Sequence, residues 1–440
     1  MIGAVIRSTA VCSVVGLALM MTPPASAVAP PSVDAAVPPP AGTVGPTVPM
    51  AQRGECVVTG LRPGTDVGAV PAASRMLNIA DAQQFSRGEG QTVAVIDTGV
   101  RPGPRLPNVT GGGDYLGVGD GLTDCDGHGT MVAGIIGGQP GPDGFTGVAP
   151  AARLISLRQT SARYAPASPG EDPALTRAVA DIGSLARAVV RAADLGARVI
   201  NISGVTCLPA TITVDQSALG AALRYAAVDK DAVVVAAAGG AACQSNTGDW
   251  TAVTSVSVPS WWQPYVLSVG SVGTDGQPSP FTMAGPWLGL AAPGADVISL
   301  SNGPDAGLAN GTPNERGELV PMNGSSFAAA YVSGVAALVR SRYPDLTAIQ
   351  VVQRLTETAH NGARAPSNLV GAGVVDPVAA LTWQLPAPGD GTGVTQIAAP
   401  RAAATADHTP RIVAFGGTAA LALAVAAIGV ALRRRKEHSS

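Results

Sequence analysis

The chain has 440 residues, 46% of them hydrophobic, and a formal net charge of −3, with a pI near 5.8. No basic surface follows from that balance, which argues against a nucleic acid as partner. At the amino end Arg7 precedes an apolar run from Val11 to Met21, and Ala25 to Ala27 supply the small residues that a signal peptidase needs. Residues 1–27 are therefore expected to be a signal peptide. Cys12 leaves with it, and the four remaining cysteines of an exported chain read as two disulfides, for which sequence alone permits three pairings.

Residues 28–52 are rich in proline and small residues and too poor in large apolar ones to build a core, so they read as an extended strap. From 53 to 385 short apolar strands such as "TVAVID", "ARLISL", "RVINIS", "AVVVAAA" and "YVLSVG" alternate with helical stretches. That pattern predicts one α/β domain, a mostly parallel sheet with helices on both faces. Two loop-like insertions, one beginning at Arg158 and one from Ser301 to about Pro321, are expected to shape a cleft.

Residues 386–410 read as a proline- and glycine-rich linker. The uncharged run from Ile412 to Leu432 has the roughly 20-residue length that crosses a bilayer core, which predicts a transmembrane helix over 411–432. The basic cluster Arg433 to Lys436 follows at once, so 433–440 should be a cytoplasmic tail and the domain should lie on the extracytoplasmic side.

Asp97 ends the strand "TVAVID", at the carboxyl edge where open α/β sheets place their sites. His128 lies in "DGHGT", between glycines and just ahead of the apolar stretch "MVAGII". Only four histidines occur; with two of them near or beyond the expected span, the candidates for a general base reduce to His128 and His360. Ser325 and Ser326, in "NGSSFAAAYVSG", open an alanine-rich helix where a serine can cap the first turn or act as a nucleophile. The resulting order Asp, His, Ser is one of the known arrangements of the hydrolytic triad.

These segments resemble successive motifs of the subtilisin-like serine proteases: "VAVIDTGV", "DGHGT", "GVAP", "VINIS", "AAPG" and "GSSFAAAYVSGVAALV", in that family's order over roughly residues 75–380. The resemblance implies the subtilisin-like three-layer fold, peptide-bond hydrolysis, and Asp97, His128 and Ser326 as the triad. It places Ser326 at the nucleophile, with its N–H at an oxyanion, and Ser203 and Gly204 on the substrate cleft. Ser325 is then left to cap the helix. The signal peptide, strap, four cysteines, linker and carboxyl-terminal span together resemble the mycosins, membrane-anchored subtilases of type VII secretion systems. This implies that Cys56 pairs with Cys125 and Cys207 with Cys243, and that the partners are exported polypeptides, a type VII secretion membrane complex and the membrane.

The chain departs from the subtilase pattern after "VVVAAAG". Gly240 stands where an asparagine carboxamide usually faces the oxyanion, and a glycine there is expected at positive φ. In a subtilisin the loss of such a donor lowers kcat by about 10²–10³. A backbone N–H, a water or Asn246 is expected to replace it. The alternative is a weakly active or inactive subtilase serving mainly as a structural subunit. No cofactor is expected, and no acidic cluster has calcium-loop spacing, so no metal is expected either.

Overall fold

The computed structural model describes residues 28–240, 243, 245–246, 248–360 and 367–385, together with positions 429 and 434. The expected signal peptide lies outside the described residues, as do the linker, span and tail apart from those last two positions. Among the described residues no helix is long and apolar enough to cross a membrane. Everything below concerns the unit that ends at Leu385.

Seven strands form one sheet: β1 (Thr92–Asp97), β2 (Val109–Asp114), β3 (Arg153–Arg158), β4 (Val199–Ile202), β5 (Val233–Ala237), β6 (Val266–Val272) and β7 (Leu288–Pro293). Their spatial order is β7-β6-β5-β4-β1-β3-β2. Every pairing in it is parallel, so the expected mostly parallel sheet is wholly so. The strands are apolar on both sides because both faces are covered. Val93 and Val95 of β1 face one core with α1 (His128–Gly137) and α4 (Ser325–Arg342), whereas Ala94 and Ile96 face a second core with α2 (Pro173–Asp194) and α3 (Ser217–Arg224). This alternation along single strands makes three layers.

Helix α4 runs buried for nearly its whole length, and its alanines and glycine let it press close to the sheet. Ser333, inside it, satisfies its hydroxyl by donating to Asn201 Oδ1 of β4 at 2.9 Å. By contrast α2 is amphipathic. Its start is fixed by Pro173 at the first position and by Asp172, whose side chain accepts from the N–H groups of Ala174 and Leu175.

The strap wraps the domain. Gly45 N donates to Asp114 O at the end of β2, and Met50–Gln52 pairs antiparallel with Tyr164–Pro166, inside the first expected insertion. Cys56 is joined to Cys125, and Cys207 to Cys243. Beyond Cys56 the chain continues across the second insertion, where Gly60 and Gly311 exchange two backbone hydrogen bonds of 3.0 Å.

Candidate active site

The carboxyl ends of the strands carry the site. Asp97 is the last residue of β1 and its side chain is 1% exposed. His128 is the first residue of α1, with 27% of its side chain exposed. Ser326 is the second residue of α4. Three separate segments thus bring their side chains together: His128 Nδ1 lies 2.8 Å from Asp97 Oδ1, and His128 Nε2 lies 2.8 Å from Ser326 Oγ. The Phe327 ring, with its centroid 4.8 Å from that of the imidazole, packs against it.

The electrostatics follow from the burial. Desolvation alone would raise the Asp97 carboxyl, but the charge and hydrogen bond of His128, the Ser203 hydroxyl and the Thr98 N–H outweigh it and hold the group below the usual aspartate range. Asp97 Oδ2 is buried with no hydrogen-bond partner among the described residues. For His128 burial opposes the charged form, yet Asp97, with Asp124 and Asp126 behind it, lifts the imidazole above its ordinary value.

Asp124 was not singled out in the sequence, although it stands four residues before His128 in "DCDGHGT". Its Oδ1 accepts from Thr98 Oγ1 (2.8 Å) and from the N–H groups of Asp126 (3.1 Å) and Gly127 (2.8 Å). Its Oδ2 accepts from Thr130 N (2.9 Å) and Oγ1 (2.6 Å). These bonds bracket His128 and tie the loop before it to the residue after Asp97. Burial pushes Asp124 up to about 6 despite them.

Three expectations about the oxyanion region need correction. Asn246 is 2% exposed and its carboxamide is engaged by backbone groups of residues 254–255 and 284. Its Nδ2 donates to Ser255 O (2.9 Å) and Ala284 O (3.2 Å), and its Oδ1 accepts from Thr254 N (2.8 Å) and Ser255 N (3.2 Å). A saturated amide has no donor left for an oxyanion. Ser325 does not cap its helix, whose N-cap is Gly324. Its hydroxyl instead clamps Gly239, donating to Gly239 O (3.0 Å) and accepting from Gly239 N (3.2 Å). Finally, the left-handed residue is Gly239, with φ 117°, and not Gly240. Among the described residues, a Cβ added at Gly240 meets nothing within 4 Å.

Ser203 and Gly204 follow the end of β4. Ser203 N donates to Ile96 O at 3.2 Å, beside Asp97, and its hydroxyl accepts from Asn201 Nδ2 at 3.0 Å. Gly204 borders Thr160 and Gln159, the stretch just past β3. His360, the other histidine weighed as a base, is engaged elsewhere: half-buried at a backbone bridge with Val374, its Nδ1 lies 3.5 Å from Asp376 Oδ2. Among the described residues no group of histidine, cysteine and carboxylate side chains is arranged to hold a metal ion.

A parallel sheet in this order, with aspartate, histidine and serine converging at its carboxyl edge, is the arrangement of the subtilases, and the model of the subtilase family matches residues 88–373. The chain belongs to that family of serine peptidases and, within it, to the mycosins. It is 58% identical to Mycosin-3 of Mycobacterium tuberculosis (strain ATCC 25618 / H37Rv), over 94% of this chain and 95% of that protein. The solved structure of the MycP3 protease from the type VII (ESX-3) secretion system superposes with a TM-score of 0.80 at 67% identity, covering 81% of this chain and all of that one. A chain in an intact ESX-5 inner membrane complex matches with a TM-score of 0.78 at 45% identity, covering 92% of this chain and all of that one.

Proposed function

We propose that the protein is a membrane-anchored serine endopeptidase of a type VII secretion complex, hydrolysing exported polypeptides with Asp97, His128 and Ser326. The observation that carries the reading is the unbroken relay of two 2.8 Å contacts from Asp97 through His128 to Ser326. Ser326 Oγ attacks the scissile carbonyl as His128 Nε2 takes its proton, and His128 then returns the proton to the leaving amine. Asp97 holds the imidazole by Nδ1 and stabilises its positive form. The oxyanion falls to the free N–H groups in the first turn of α4. Ser203 and Gly204, at the open carboxyl end of β4, are suited to pair with an extended substrate backbone.

Fluorophosphonate labelling of the full-length protein in detergent, followed by peptide mass spectrometry, tests the assignment. The adduct is expected on Ser326, to vanish in Ser326→Ala, and to persist at a lower rate in Ser325→Ala because the Gly239 clamp is lost. An adduct on Ser325, or labelling untouched by Ser326→Ala, overturns it.

The membrane reading rests on the apolar run at 411–432 and its basic flank. The complex as partner rests on the similarity to a chain of the ESX-5 assembly. The second reading, a structural subunit with little turnover, is favoured by Gly240, which lacks the side-chain donor. No Ser326-dependent turnover in the wild type would select it.

A further inference from the structure

Asn302 lies in the second insertion and is 3% exposed. Its Nδ2 donates to Val57 O (2.9 Å) and to Asp124 O (3.1 Å). Its Oδ1 accepts from Thr59 N (3.0 Å) and Thr59 Oγ1 (3.3 Å), and its backbone carbonyl accepts from Arg101 Nη1 (2.9 Å). Both donors of one carboxamide are therefore in use, and its oxygen accepts from Thr59 N and shares the Thr59 hydroxyl with Ser301 Oγ. They join two segments that are far apart in sequence: residues 57–59, just past the strap, and the loop that delivers His128.

The contact reaches the residue beside the imidazole. Gly127, the N-cap of α1 with φ 76°, packs so tightly that an added Cβ would stand 2.6 Å from Thr59 Cγ2 and 2.9 Å from Asn302 Oδ1. Ser301 grips Thr59 from its other side by donating to Thr59 O at 2.6 Å. From inside, the Asp124 carboxylate holds the N–H groups of Gly127 and Thr130. From outside, Asn302 holds the Asp124 carbonyl.

We propose that Asn302 is a positioning residue for His128: its carboxamide fixes the Asp124–Gly127 loop against the Val57–Thr59 segment and so sets the imidazole between Asp97 and Ser326. The inference rests on the reading of His128 as the general base. It differs from that reading in what it asks of a residue that touches neither substrate nor triad.

The test uses the full-length chain in detergent with a peptide substrate, comparing wild type, Asn302→Ala and Asn302→Asp. Asn302→Ala is the milder variant, because it only removes the bonds, whereas Asn302→Asp keeps the acceptor for Thr59 but sets a buried carboxylate oxygen against the Val57 and Asp124 carbonyls. Both are expected to lower kcat by about tenfold or more per titrated active site, with KM within about twofold. Asn302→Ala should also move the acidic limb of kcat/KM to lower pH, since an imidazole held less firmly beside Asp97 loses part of the interaction that raises it, whereas the added carboxylate of Asn302→Asp acts in the opposite direction. If kcat per titrated site and the acidic limb stay at wild-type values while only the melting temperature falls, Asn302 is merely structural and the inference is overturned. Absence of Ser326-dependent turnover in the wild type is a separate result, which refutes the enzyme reading and this inference with it.

Discussion

At Gly240 an added Cβ meets no atom of the described residues within 4 Å and the backbone lies outside the left-handed region, so Gly240→Asn is expected to fold without strain. A restored oxyanion donor contributes about 2.7–4 kcal/mol in the transition state, so kcat on a peptide should rise at least about tenfold with KM nearly unchanged. Flat rates in a folded variant would mean that backbone N–H groups already suffice. The pH profile carries a second prediction. Turnover needs His128 neutral, and raised as it is, it sets an acidic limb above its ordinary value. It also needs Asp124 ionised, since a protonated carboxyl cannot accept all five bonds around the histidine. Below about pH 6 the limb should therefore steepen from one proton toward two, and Asp124→Asn should abolish that second step while lowering kcat. A limb of single slope down to pH 5 in the wild type would contradict it. The stability sign is opposite: the folded state binds more protons than the unfolded chain between about pH 4 and 6, so Asp124 favours folding at the lower end of that window and loses this as pH rises. At this scale the three residues that converge, Asp97, His128 and Ser326, were readable from their motifs, whereas the contacts of Asn246 and Ser325 were not. Whether an amide is free or saturated depends on carbonyls brought from elsewhere, such as Ala284 O, and no local pattern encodes that.

Strands β1, β3, β4, β5 and β6 stand out in the sequence as short apolar runs because both faces of a parallel sheet are buried. Strand β2 does not, since "VTGGGD" offers glycines in place of such a run. Those glycines have a packing reason: a Cβ on Gly111 would lie 2.7 Å from Asp120 O, and one on Gly112 2.7 Å from Ile155 Cγ2 of β3. Strand β7 is likewise hidden in "LGLAAP". The strap's extended character was evident from its composition, but not its pairing with Tyr164–Pro166, which needs a partner more than 100 residues away. The bond from Cys56 to Cys125, separated by 69 residues, adds on the order of 4 kcal/mol in the chain-entropy model. Replacing both by serine should lower the denaturation midpoint accordingly and raise the exchange of amides in residues 57–60. Peptide mapping without reductant that found a crossed pair would refute the tie between strap and histidine loop.

For the whole molecule, the apolar run at 411–432 makes a prediction independent of the site. Truncation before Arg411 should convert a membrane-bound protein into a soluble one with full labelling of Ser326, as read by fractionation and fluorophosphonate adduct. A truncated chain that stays with the membrane would place the anchor elsewhere.

The bond between Cys56 and Cys125 also has a covalent consequence. It turns residues 56–125 into a closed ring, and a ring opened by one cut remains one molecule. A single proteolytic cut between those cysteines therefore adds one water but releases no fragment without reductant, and the product separates into two chains only with it. A single cut on the amino side of Cys56 sheds everything before it, whereas a fragment that carries Cys56 stays attached until the disulfide is reduced.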